Sequence, residues 1–204
     1  MPHQQQIRQL IAREAARLIY EEGLDYSAAK HKAGKAYGSD QALSRGHYLP
    51  ANTEIHTQLR ELMALYNPPD TDQQLDAMRY LALEFLQRLE PFSPYLTGDV
   101  LRGELTPHSL IELHLFADDP DEVEIFLNQQ DIAFTAAPAD AHQQEQQHLL
   151  SIDDQDFPLL CYVFPRSRRQ QGLRSPIDGQ PLPRASARQL QRLLENPPDD
   201  EETS

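Results

Sequence analysis

The apolar residues of this chain change their spacing at Pro91, and no single class of secondary structure satisfies both halves. Before Pro91 they recur every three or four residues. One set is Ile7, Leu10, Ile11, Ala15 and Leu18; a second is Ile55, Leu59, Leu62, Met63 and Tyr66. The third and strongest is Leu75, Met78, Leu81, Ala82, Phe85, Leu86 and Leu89. Each makes one stripe along a helix of about 3.6 residues per turn. After Pro91 short apolar runs take over, at Tyr95–Thr97, Ser109–Phe116, Ile132–Thr135, Leu149–Ile152 and Phe157–Phe164. Side chains that alternate in this way line the two faces of a sheet. The chain therefore predicts an α+β protein, an N-terminal helical region packed on a small mixed sheet.

Turn chemistry sets the expected boundaries. Gly23 suits a helix stop, because glycine takes positive φ without a Cβ clash. Ser27 is expected to cap a short helix through Gly34 that carries the lysines, and residues 38–50 read as a loop. Pro68-Pro69 ends the third helix; Asp72 caps the fourth, which Pro91 terminates. Gly98-Asp99 reads as a turn. Asp119-Pro120-Asp121-Glu122 supplies a cap, a first-turn proline and acidic residues for a later helix, and Ser186 caps the last one. Residues 138–147 form a Gln-rich connection, and 166–184 an irregular basic segment. The expected division is 1–70 helical, 71–165 α+β, 166–195 basic loop with a helix, and 196–204 an acidic disordered tail.

Composition narrows the function. No run approaches the roughly 18 apolar residues of a membrane helix, and the polar start has no signal-peptide core. The one cysteine, Cys161, excludes an internal disulfide and a thiolate zinc cluster, and fits a reducing, cytoplasmic setting. Net charge is −14. Residues 51–157 hold 21 acidic and 4 basic side chains, whereas 158–198 hold 2 and 7. An acidic middle of this size opposes nucleic-acid binding, which must neutralise phosphates.

One segment, Thr97 to Leu113, is patterned for chemistry: Thr-Gly-Asp-Val-Leu-Arg-Gly-Glu-Leu-Thr-Pro-His-Ser-Leu-Ile-Glu-Leu. A glycine after a strand lets the backbone approach a phosphate. Carboxylates at i and i+2 of one strand share a face and can hold divalent metals. The segment resembles the signature of the nucleotidyltransferase superfamily, which reads Gly-Ser, then Arg-Gly-Glu, a short loop, and Ser-Asp-x-Asp-Leu on a strand. Gly98, Arg102, Gly103, Glu104, Ser109 and Leu113 match in type and spacing, within a resemblance that covers roughly residues 72–165. The resemblance implies a nucleotide held at Gly98, Asp99, Arg102 and Ser109, Mg²⁺ as cofactor, and Glu112 as its ligand. Asp99 stands where the family has serine, and Leu110 where it has the first carboxylate. The family's third carboxylate belongs on a later strand, and Leu159–Phe164 contains none. The expectation is a divergent nucleotidyltransferase-like protein that binds nucleotide and lacks ordinary metal-dependent transfer. Its rival is a non-catalytic module on the same scaffold whose helical region or acidic surface binds a protein.

Two further groups are candidates. Glu112 and His114 share a strand face about 6.5–7 Å apart by the strand rise. They could hold one metal or act as base and partner; alternatively they are ordinary polar residues on a solvated face. Arg166, Arg168, Arg169 and Arg174 could grip a phosphate or carboxylate bidentately. They could equally belong to a surface connector that pairs with the acidic middle.

Overall fold

The computed structural model describes residues 2–38, 48–137, 148–153 and 157–196, and the chain divides into two compact units.

The helical unit comprises Met1–Thr71, Glu104–Ser109 and Arg174–Pro181. It contains α1 (Pro2–Glu22), α2 (Tyr26–Gly34) and α3 (Asn52–Tyr66). The apolar stripes become its core: Ile11, Ala15, Ala16 and Leu18 of α1 are buried with Ala29 and Ala33 of α2 and Ile55, Leu59 and Met63 of α3. Alanines at these positions let helix backbones approach closely. Gly23 ends α1 at φ +67, and its N–H donates to the Ile19 carbonyl. The α2 cap is Asp25 rather than Ser27: the Asp25 carboxylate accepts from the N–H groups of Ser27 and Ala28. A carboxylate takes two of the orphan donors of the first turn, so the helix begins earlier than the serine suggests. Glu54 accepts from the Ala51 N–H at 2.7 Å and pairs with Arg8 of α1 at 2.5 Å, fastening α3 to α1. Loop 104–109 is tied in by Asn67 Nδ2 donating to the Leu105 carbonyl, and by His108 Nε2 at 2.8 Å from the Glu21 carbonyl. Most of the loop expected over 38–50 lies outside the described residues.

The second unit, Asp72–Gly103, Leu110–Leu173 and Leu182–Ser204, holds the sheet. Its elements are α4 (Thr71–Arg88), β1 (Tyr95–Thr97), α5 (Gly98–Arg102), β2 (Ile111–Phe116) and α6 (Asp121–Gln129). They are followed by β3 (Thr135–Ala137), β4 (His148–Asp153), β5 (Pro158–Phe164) and α7 (Ala187–Glu195). The strand order is β1-β2-β5-β4-β3, parallel only between β2 and β5. One face is apolar and buried: Ile111, Leu113 and Leu115 of β2, Leu159, Cys161 and Val163 of β5, and Leu150 and Ile152 of β4. This is the α+β architecture that the change of periodicity requires.

Further boundaries differ from the sequence expectation. Asp72, expected as the cap of the fourth helix, lies inside the first turn of α4, which already starts at Thr71. Gly98-Asp99 opens the short helix α5 instead of a turn. Pro91 sits in a 3-10 turn, Glu90–Phe92, that continues past α4. The strand expected at Ile132–Thr135 starts only at Thr135, because Ile132 is buried and its N–H caps α6 through the Leu127 carbonyl. Ser186 does cap α7, in a capping box with Gln189. Residues 138–147 and 197–204 lie outside the described residues. Among the described residues no helix is long and apolar enough to cross a membrane.

Candidate functional site

The antiparallel pairing of β1 with β2 sets Thr97 opposite Glu112. The next residue, Gly98, turns the chain into α5 with φ +77. A Cβ at Gly98 would lie 2.8 Å from the Glu112 carboxyl carbon and 3.0–3.1 Å from its oxygens, so the carboxyl rests directly on the glycine. Gly98→Ala should therefore cost about 1–3 kcal/mol, from left-handed strain and displacement of Glu112. An unchanged urea midpoint in that variant would refute the packing.

Asp99 and Arg102 complete the corner, paired at 2.5 Å across one turn of α5. The short helix is held by Arg79, whose Nε donates to the Val100 carbonyl at 3.1 Å. Gly103 closes it at φ +77, its N–H donating to the Asp99 carbonyl. Burial pushes the Glu112 carboxyl up to about 7; the charge of Asp99 adds to the rise and Arg102 opposes it. At neutral pH this carboxyl is half protonated, and in that form it donates a hydrogen bond.

His114 lies two residues along the same face, and it is not solvated. It is 6% exposed and sits edge-on to the rings of Tyr162 and Phe164, with centroids 5.7 and 4.9 Å away. Burial and the charge of Arg184 lower its pKa to about 4. The imidazole is neutral, a weak base, and packs as an aromatic ring. It belongs to a patch with Tyr95, Phe116, Tyr162 and Phe164. The Arg184 guanidinium lies 4.6 Å above the Tyr95 ring. Sequence reasoning missed Arg184, although the alternating aromatics at 114, 116, 162 and 164 were a readable sign of a platform.

The remaining predicted residues are divided between the two units. Gly98, Asp99, Arg102 and Glu112 come together. Ser109 belongs to loop 104–109 of the helical unit, where its hydroxyl accepts from the Thr106 N–H at 2.9 Å. Glu104 pairs there with His56 and Arg60, at 3.3 and 3.4 Å. The four arginines do not form one group either. Arg166 and Arg169 line a cleft with Pro91, Ser93 and Phe116. Arg168 lines a small cavity with Arg184 against His114, Phe116 and Phe164. Arg174 is in the helical unit, donating to the Gly179 carbonyl at 2.8 Å across a tight turn in which Gly179 has φ +71.

A pair of divalent cations needs bridging anionic ligands. Leu110 offers none, Asp99 is engaged by Arg102, and β5 carries no carboxylate. Asp153 is exposed at the end of β4, and Asp154 and Asp156 lie outside the described residues. The Cys161 thiol is buried and pushed up to about 12. Among the described residues no three His, Cys, Asp or Glu side chains converge as ligands. The described residues do not fit the two-cation centre that the resemblance implies. No family model matches the chain, and neither a curated protein nor a solved structure matches it.

Proposed function

We propose that the sheet unit is a nucleotidyltransferase-like scaffold that binds a nucleotide without transferring it. The observation that carries this reading is the Glu112 carboxyl seated on Gly98, with Leu110 where a metal ligand would stand. The long helix α4 before the segment and the helix α6 after it are the flanking elements that the resemblance leads one to expect. A protonated Glu112 donates a hydrogen bond to a phosphate or ribose oxygen, and Arg102 neutralises Asp99. A nucleotide held in this way needs no cation.

Thermal shift and calorimetry with nucleoside triphosphates should show binding in Mg²⁺ and equally in EDTA. Binding should tighten about tenfold from pH 8 to pH 6 as Glu112 gains its proton, and Glu112→Gln should flatten that dependence. Labelled nucleotide incubated with Mg²⁺ or Mn²⁺ and an extract supplying acceptors should not be transferred. Transfer that disappears in Glu112→Gln would overturn the reading and make the protein an enzyme.

A flat nucleotide screen would favour the second reading, a protein-binding module. That reading is supported by the helical unit, where Leu10, Tyr37, Leu65 and Tyr66 are exposed and a groove between α1, α2 and α3 is lined by Leu10, Leu62 and Leu65.

A further inference from the structure

We infer that the cleft at the carboxyl ends of β2 and β5 is a binding site for a phosphoryl group. It lies at the far end of β2 from Glu112 and goes beyond the reading of the Gly98 corner.

The parallel pair ends at Phe116 and Phe164. Pro165 then leads into a 3-10 turn, Arg166–Gln170. Backbone bonds fix this turn from both sides. The Arg166 N–H donates to Asp118 Oδ1 at 3.1 Å, the Arg168 N–H to the Pro165 carbonyl, and the Gln171 N–H to the Arg168 carbonyl. A turn held in this way presents its side chains from a set position, which reduces the ordering cost of binding. Arg166, Ser167, Arg169 and Gln170 line a cleft of about 400 Å³. Pro91, Ser93 and Phe116 complete its lining. That volume falls within the ~300–1,000 Å³ range of small-molecule sites. Ser93 holds left-handed backbone at φ 48, which is costly for a residue with a Cβ.

The donor set decides the ligand class. Two guanidinium groups, two hydroxyls and an amide line the cleft, and no carboxylate does. Arg166 spends one nitrogen on Glu122, at 3.0 Å, and keeps the rest of its fork. Arg169 has no carboxylate partner among the described residues, on a chain with 32 acidic and only 18 basic side chains. An arginine that meets no carboxylate among the described residues, beside a second arginine, is matched to a dianion. A carboxylate has two oxygens and one charge. A phosphoryl group has three oxygens and nearly two charges, and it uses this donor set more fully.

The test is calorimetry on the full chain at low salt, with inorganic phosphate, AMP and acetate as probes. Wild type should bind phosphate and AMP and ignore acetate. Arg169→Gln should weaken binding at least about tenfold, Arg166→Gln should weaken it less, and Arg174→Gln, outside the cleft, should leave it unchanged. AMP binding more tightly than phosphate would identify a nucleotide as the source of the phosphoryl group; equal affinities would identify the free anion. Both results support the site. Absence of phosphate and AMP binding in wild type overturns it, as does an Arg169→Gln protein that binds like wild type. Acetate competing on equal terms with phosphate also overturns it. If Glu112→Gln flattens the pH dependence of phosphate binding while Arg169→Gln leaves the affinity unchanged, the phosphates lodge at the Gly98 corner; this inference then fails and the function proposed above stands.

Discussion

Phe85→Ala is expected to lose about 3–5 kcal/mol of unfolding free energy, read as a lower urea midpoint at unchanged slope. Phe85 is 2% exposed on α4, in a row with Met78, Ala82, Leu86 and Leu89, all buried. Truncation removes the transfer free energy of a phenyl ring and leaves a cavity that a helix pinned at neighbouring buried residues cannot collapse. The Arg88 guanidinium 5.2 Å above the ring adds a smaller loss. Tyr80 is on the same helix but 61% exposed, and Tyr80→Ala should stay within about 0.5 kcal/mol of wild type. Equal midpoints for the two variants would dismantle the core assignment. Leu81 is read from the sequence as an equal member of the stripe. It is only half-buried, so its truncation should cost less than that of Phe85.

That difference shows where periodicity stops being informative. A stripe of apolar residues gives the direction of a helix face, and the face is wider than the part that meets the core. The long helices and β2, β4 and β5 were legible because each carries enough residues for its period to repeat. The helix α5 was not, because five residues beginning Gly-Asp carry the signature of a turn and no period. What makes them a helix is tertiary: Arg79 bonding the Val100 carbonyl, and Glu112 packed on Gly98. The membership of loop 104–109 and turn 174–181 in the helical unit was likewise unreadable. It depends on bonds between residues far apart in sequence, His108 with the Glu21 carbonyl and Asn52 with the Pro176 carbonyl.

The candidate site was legible in part for the same reason. Strand alternation alone sets Glu112 and His114 on one face, and the strand–glycine junction marks Gly98. Their electrostatic states depend first on burial by the surrounding fold and then on charges outside the strand: Asp99 and Arg102 for Glu112, Arg184 for His114. The arginines between 166 and 174 look like one cluster in sequence because they are close along the chain. A 3-10 turn brings successive residues round every third position, so Arg168 points to a different cavity from Arg166 and Arg169.

Glu112→Gln should make the protein more stable at pH 8 and leave it unchanged near pH 4.5. The carboxyl titrates at about 7 in the folded chain, against an ordinary 4.5. Below 4.5 both states hold the proton, and ionisation contributes nothing to the difference between them. Between 4.5 and 7 the unfolded chain has released its proton while the native corner keeps it, so stability falls as pH rises through this window. Above 7 the native carboxyl is ionised against burial and Asp99, and the full penalty applies. A displacement of this size corresponds to about 2–3 kcal/mol once partial exposure is allowed for. Glutamine keeps the shape and a donor on Gly98 but never ionises, so the variant should gain that amount at pH 8 and lose its advantage as pH falls to 4.5. Asp99→Asn removes only the repulsive share and should show a smaller gain over the same window. Urea unfolding of the three proteins at pH 4.5, 6 and 8 separates the causes. A Glu112→Gln difference that does not change with pH would mean that the carboxyl is already ionised without penalty, and that the corner is not the desolvated pocket its packing on Gly98 implies.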